Sequence, residues 1–176
     1  RPLSDYAHSK DVNFLLWFEP ERVHPGTWLA KEHPDWILGG ANGGLLDLGN
    51  PQAWEWTVNH FSNLIKTEGI DYYRQDFNMD PLPYWRHSDP PDRQGISEMK
   101  YIEGLYEYWD RIAETWQDSI REECASGGRR IDLETIMRMH IHQKTDYWFD
   151  DDVDQASLWG MNQYLPNSTF VAHLNR

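Results

Sequence analysis

The chain has 176 residues, a net charge of −13 with histidines neutral, ten tryptophans, nine tyrosines and a single cysteine. Such an acidic balance argues against a nucleic-acid backbone or an anionic membrane as partner, and one cysteine excludes an internal disulfide. No apolar run approaches the ~18–20 residues of a membrane span, no signal peptide is visible, and the length allows one core of ordinary size.

Leu3 to Lys10 reads as the end of a helix. Because the chain starts at Arg1 inside that pattern, its natural N-terminus is expected to lie further upstream; the compartment stays open, with the cytoplasm favoured. Val12-Asn13-Phe14-Leu15-Leu16-Trp17-Phe18 is a nearly continuous apolar run, the pattern of a strand buried on both faces. Pro20 ends it. A polar, aromatic loop follows, with His33-Pro34-Asp35-Trp36 and a glycine-rich segment from Gly39 to Gly44, and then a short extended piece, Leu45-Leu46-Asp47-Leu48. Asn50 and Pro51 open a helix as N-cap and first helical residue. Trp54, Val58, Phe61, Leu64 and Ile65 fall on one of its faces, and Gly69 ends it.

The next stretch, Gly69-Ile70-Asp71-Tyr72-Tyr73-Arg74-Gln75-Asp76-Phe77-Asn78, reads as a strand that closes on a carboxylate. Alternation along a strand sends Arg74, Asp76 and Asn78 to the same side. Arg74 is expected to keep the Asp76 carboxyl ionised. Residues 79–95 read as a loop carrying four prolines. Ser97 is expected to cap a second helix with Ile102, Leu105, Trp109, Ile112 and Trp116 on one face. A weaker strand, Ile120 to Cys124, leads into Ala125-Ser126-Gly127-Gly128-Arg129-Arg130. A short helix from Leu133 to Met139, a strand from Ile141 to Tyr147, a helix from Ala156 to Tyr164 and a last strand from Thr169 to Leu174 complete the chain.

This alternation of strand and helix is the signature of βα units on a parallel sheet. The polar, glycine- and carboxylate-rich segments follow strands, the face that carries the active site in a (β/α)8 barrel and the ligand in a doubly wound sheet. No G-x-G-x-x-G turn or P-loop is present, so nucleotide binding has no support. About four βα units are countable, and a full barrel takes ~250 residues. The chain therefore reads as an α/β fragment of a barrel.

The residues alone leave several roles open. A strand-end aspartate such as Asp76 serves equally as catalyst or loop cap. Asp146, Asp150, Asp151, Asp152 and Asp154 crowd one stretch, and spacing does not choose among them. Glu19 and Glu21 read as partners for loop backbone. His140 and His142 have the spacing of a metal-ligand pair, but no further strand-end histidine completes a site, so no metal or cofactor is expected. Cys124 lacks an obvious histidine partner and reads as part of a hydrogen-bonding loop for sugar hydroxyls. Asn167-Ser168-Thr169 fits a glycosylation sequon. The aromatic load either fills a core or lines a cleft for polyhydroxylated ligands.

Four segments in order resemble the α-galactosidases of glycoside hydrolase family 36, the melibiase group. They are Trp17-Phe18-Glu19-Pro20-Glu21 with His33-Pro34-Asp35-Trp36; Leu46-Asp47-Leu48-Gly49-Asn50-Pro51; Tyr73-Arg74-Gln75-Asp76-Phe77-Asn78; and the run from Glu123 through Cys124-Ala125-Ser126-Gly127-Gly128-Arg129-Arg130 to Glu134. The resemblance spans Leu3 to about Pro166. It implies a (β/α)8 TIM barrel, of which residues 1–176 supply roughly the third to seventh strands as a partial catalytic domain. It further implies a retaining exo-glycosidase acting on terminal α-D-galactosides of an oligosaccharide or glycoconjugate. Under it Asp76 is the nucleophile and Asp146, in Thr145-Asp146-Tyr147, the acid/base, with Asp150 as the fallback. Trp17, Arg74, Asn78, Cys124 and Gly127 fall on sugar-binding positions. Ala41-Asn42-Gly43-Gly44 stands where many members place an arginine, and the first-strand aspartate pair that reads the galactose hydroxyls has no counterpart in this chain. An α-N-acetylgalactosaminidase and a non-catalytic sugar-binding fragment are the alternatives, and homo-oligomerisation of a full-length form is left open.

Overall fold

In the computed structural model residues 1–172 are described. Local chemistry accounts for most of the element boundaries. In chain order these are α1 (Pro2–His8), β1 (Leu15–Phe18), β2 (Arg22–Val23), α2 (Trp28–Glu32), β3 (Ile37–Leu38), β4 (Gly44–Leu46), α3 (Pro51–Glu68), β5 (Tyr72–Gln75), α4 (Leu82–Ser88), α5 (Ile96–Thr115), β6 (Ile120–Glu123), α6 (Leu133–Arg138), β7 (Ile141–His142) and α7 (Asp151–Met161). Among the described residues no helix is long and apolar enough to cross a membrane. The elements fall into two compact units, one built from residues 1–18, 69–76 and the chain from 118 onward, the other from 19–68 and 77–117.

The first unit is organised on a four-stranded sheet of order β1-β5-β6-β7, parallel throughout. Every connection between neighbouring strands contains helix, as parallel pairing requires. Phe18 stacks on Tyr73 with ring centroids 5.1 Å apart, and both are buried. The expectation that the first strand is buried on both faces fails: Leu15 is 43% and Trp17 46% exposed. β1 is the terminal strand of the sheet, paired only with β5 among the described residues. The expected strand from Ile141 to Tyr147 also shortens to two residues. After Gln143 the backbone leaves the ladder, and Lys144 turns inward instead. The expected strand from Thr169 reduces to a 3-10 turn at Asn167–Thr169 and one bridge between Phe170 and His142; positions 173 and 174 lie outside the described residues.

The second unit departs from simple βα alternation. β2, β4 and β3 form a small antiparallel sheet with Leu45 and Leu46 fully buried in its central strand. Strands of two residues are too short to display a period, so the sequence pattern missed β2 and β3, whereas β4 overlaps the extended piece read at residues 45–48. It also missed α4 inside the proline-rich stretch, where Pro83 stands in the first turn and no backbone donor is lost. Asn50 caps α3 as expected, accepting from the backbone N–H groups of Gln52 at 2.9 Å and Ala53 at 3.4 Å. Ser97 does not cap α5. Asp89 does so from outside the helix, accepting from the N–H of Gly95 at 2.7 Å and of Ser97 at 3.1 Å, and from the Ser97 hydroxyl at 2.6 Å.

α3 and α5 pack together through Trp54, whose indole N–H donates to the Gly104 carbonyl at 2.9 Å, and through an edge contact of Phe61 on Tyr108. Tyr101, Leu105, Tyr108, Trp109 and Ile112 bury the inner face of α5. Each such burial contributes about 1.5–3 kcal/mol. Gly104 is needed for close approach, because a Cβ there would stand 2.1 Å from the Leu48 carbonyl oxygen. Gly104→Ala is therefore expected to destabilise the protein by about 2–4 kcal/mol through forced separation of backbone. Urea denaturation, read as a fall in midpoint at constant slope, measures this.

Candidate active site

The parallel register sets the site. Phe18, Gln75, Glu123 and His142 stand level across β1, β5, β6 and β7. The ladder continues one step further: the N–H of Asp76 donates to Phe18 O at 2.7 Å, that of Cys124 to Gln75 O at 2.8 Å, and that of Gln143 to Glu123 O at 2.9 Å. Asp76 and Cys124 thus occupy the same level just past the carboxyl ends of adjacent strands. β5 itself stops at Gln75, one residue short of the expected end.

Asp76 is buried, and N–H donors reach both of its carboxylate oxygens. Trp17 Nε1 donates to Oδ2 at 3.2 Å, and the Ser126 amide donates to Oδ1 at 3.4 Å. Donors of this kind stabilise a negative charge on the oxygens. Arg74 does not serve Asp76 in the expected way. Its guanidinium pairs with Glu122, its direct neighbour in the β5–β6 register, and the Tyr72 hydroxyl donates to the same carboxylate at 2.6 Å. Glu122 is buried, so the pair neutralises a charge that the sheet would otherwise hold at high cost. Glu122 was not legible as an Arg74 partner in the sequence, because the pairing depends on a register between residues 48 positions apart.

The Cys124 thiol lies between two carboxylates. Its sulfur is 3.9 Å from Asp146 Oδ1, and it also hydrogen-bonds the Asp76 side chain. Burial, with added repulsion from Asp76 and Asp146, pushes the thiol up to about 12, against the opposing pull of the Gly127 N–H. Cys124 is therefore a neutral donor, not a thiolate nucleophile. The turn after β6 closes through Ala125 N–H to Gly127 O at 2.8 Å, with Ser126 and Gly127 both at positive φ. The amides read as donors to sugar hydroxyls are turned in part on the protein itself, Ser126 on Asp76 and Gly127 on the sulfur. At Gly127 a Cβ would sit 3.0 Å from both Thr145 Cα and Asp146 N, so glycine lets the Asp146 segment lie against the turn.

The crowd of aspartates separates by role. Asp150 is the N-cap of α7, accepting from Val153 N–H at 3.2 Å, while Asp151 and Asp152 are exposed in its first turn. Asp154 is buried and pairs with Lys144 Nζ at 2.7 Å, and Nζ also donates to Val171 O at 2.7 Å. Asp146 itself is solvent-exposed, and Tyr147, Trp148 and Phe149 beside it expose large aromatic surfaces. The two histidines part company because His140 precedes β7: its Nδ1 accepts from Arg121 N–H, whereas His142 is buried near Phe170. In the second unit Glu19 accepts from the Asn78 amide at 2.6 Å and pairs with Arg22, which also donates to Asn78 O, while buried Glu21 takes the Tyr101 hydroxyl. Glu19 thus meets the expectation of a backbone partner. Asn78 is half-buried past the end of β5.

The model of the melibiase family matches residues 1–175. The chain is 25% identical over 184 residues to alpha-galactosidase Mel36A of Lactobacillus acidophilus, covering 98% of the chain and 24% of that protein. It is 32% identical over 178 residues to a probable alpha-galactosidase C of Aspergillus flavus, covering 95% of the chain and 22% of that protein. Among solved structures, alpha-galactosidase AgaA of Geobacillus stearothermophilus superposes with a TM-score of 0.86 at 27% identity, over 98% of this chain and 25% of its own. Variants of the same enzyme have been solved in complex with raffinose and with stachyose. The chain thus spans about a quarter of the length of these relatives. Its parallel sheet with helical connections is accordingly an α/β portion of a TIM barrel.

Two outcomes are expected from this geometry. Asp154→Asn, which strands the Lys144 ammonium in the interior, is expected to cost about 3–5 kcal/mol in urea denaturation. Native protein treated with iodoacetamide at pH 8 is expected to leave Cys124 unalkylated while the urea-unfolded protein reacts fully, as followed by intact mass.

Proposed function

Because the chain belongs to the melibiase family, we propose that residues 1–176 are part of the catalytic barrel of a retaining exo-α-galactosidase. Asp76 attacks the anomeric carbon of a terminal α-D-galactoside, and the bond from that carbon to the aglycone oxygen breaks. Asp146 delivers its proton to the departing oxygen. A galactosyl ester on Asp76 results. Asp146, now a carboxylate, takes a proton from water as the water oxygen attacks the same carbon, and Asp76 leaves as a carboxylate. Two carboxyl groups about 5–5.5 Å apart are what such a double displacement requires.

The observation that carries this reading is the contact of one sulfur, Cys124 Sγ, with the carboxylates of both Asp76 and Asp146. Two acidic groups meeting over a neutral donor at strand carboxyl ends suit nucleophile and acid/base roles. The Trp17 indole and the Ser126 amide support Asp76 as the charged member. Asp146, exposed on its loop, is reachable by an aglycone oxygen and by water. Trp17 then provides a half-exposed aromatic wall for the sugar, with Cys124 and Gly127 bounding it on one side. Asn78 and Arg74 are assigned sugar contacts by their positions on either side of the nucleophile, with the Arg74 guanidinium held by Glu122. The substrate class is an oligosaccharide or glycoconjugate ending in α-galactose, in line with the raffinose and stachyose held by the Geobacillus enzyme.

In the intact protein, Asp76→Asn is expected to lower kcat on an aryl α-galactoside by at least about a thousandfold, and unchanged turnover would sink the assignment. Asp146→Ala is expected to lose about 10²–10⁴-fold, the range of a general acid/base. Added azide is expected to restore turnover of that variant by forming a galactosyl azide, since the anion needs no base. Azide without effect would move the acid/base role to another residue. Parallel assays on the aryl N-acetylgalactosaminide read the preference at the sugar 2-position.

A further inference from the structure

The second unit carries a groove of about 770 Å³ along the outer side of α3, built from residues that no step of the proposed reaction uses. One wall is aromatic and braced. His33 stacks on Trp36 with centroids 3.8 Å apart, and Trp56 stacks on His60 at 4.7 Å, their planes only 10° from parallel. Trp28 touches both groups, 4.9 Å from His33 and 5.8 Å from Trp56. Rings held in this way offer a surface that loses little freedom when a ligand arrives.

Beside Trp56 and His60 on the same helix runs a stripe of hydrogen-bonding side chains. Gln52, Glu55, Asn59 and Asn63 follow one another at spacings of three and four on α3, and Asp35 joins them from the loop. None of these five side chains has an intramolecular hydrogen-bond partner among the described residues, and neither has the indole N–H of Trp36 or Trp56. Lysine and arginine are missing from the lining, and burial holds the His60 imidazole below its ordinary value. The groove therefore combines rigid aromatic rings with amide and carboxylate groups and has no lysine or arginine in its lining.

We infer that this groove is a binding site for a neutral oligosaccharide of two or more pyranose units, separate from the catalytic carboxylates. The volume lies within the ~300–1,000 Å³ usual for small-molecule sites. Hydroxyl-rich rings match both linings, since amides and carboxylates take hydroxyl pairs while apolar ring faces lie on tryptophan. Carboxylates without a lysine or arginine beside them would repel a nucleic-acid backbone. A protein partner would want an apolar centre, whereas acidic side chains, which interface cores deplete, run through this one. The inference is independent of the assignment of Asp76 and Asp146.

The test is affinity electrophoresis of the intact protein in gels containing galactomannan, with saturating free galactose to fill the catalytic pocket. Retardation is expected to persist under galactose and to weaken at least about tenfold in Asn59→Ala/Asn63→Ala, whose turnover of an aryl α-galactoside stays at the wild-type value. Trp56→Ala, checked for native circular dichroism, is expected to weaken it as well. Three results overturn the inference: no retardation of the wild type, retardation abolished by galactose, or equal retardation of the double variant. Concentration-dependent self-association that Asn59→Arg abolishes would instead assign the groove to a second copy and likewise overturn it. The aryl-galactoside assay reads the catalytic proposal separately, so either can fail alone.

Discussion

The parallel register of β1, β5, β6 and β7 is the constraint from which the arrangement around Asp76 and Cys124 follows. Side chains on a strand alternate faces, so slipping one strand by one residue would turn its whole set the other way. In the observed register Arg74 stands opposite Glu122, and Asp76 and Cys124 leave the sheet together one step past the last paired row. The sheet thereby delivers a carboxylate and a thiol to the same spot while satisfying their backbone N–H groups. A glycine turn after Cys124 then folds back far enough to donate to Asp76 and to receive the Asp146 segment.

Charge inside this arrangement is handled by pairing and by neutrality. Glu122 is buried but answered by Arg74 and Tyr72, and Lys144 is buried but answered by Asp154 and a backbone carbonyl. The second pair ties the segment after β7 to the first turn of α7, on either side of Asp146. The cysteine solves the remaining difficulty, since a group placed between two acidic side chains must not add a further negative charge. Burial and the two neighbouring aspartates together keep its proton on.

The aromatic residues divide between two purposes that composition could not separate. Tyr101, Tyr108 and Trp109 are core, buried along one face of α5. Trp17 meets Asp76 at the end of β1, and Trp28, Trp36 and Trp56 form a braced cluster beside a polar helical stripe. Phenol and indole rings suit both settings because each joins a large apolar body to a single polar group.

Local signals were readable directly from the residues. Asn50-Pro51 and Gly69 bounded α3, the apolar spacing of α5 identified its buried face, and the strand ending near Asp76 was visible from its composition. The four ordered motifs went further and identified the family and hence the barrel. Short-range pattern failed where elements were too brief to show a period, as in β2 and β3, or where a cap came from outside its helix, as Asp89 does for α5. Pairings across long separations were beyond it altogether. Arg74 with Glu122, Lys144 with Asp154, and Cys124 against Asp76 and Asp146 depend on which strands lie side by side and in what register. Chain neighbours determine φ, ψ and facing, but only the assembled sheet decides which distant charges share one buried space.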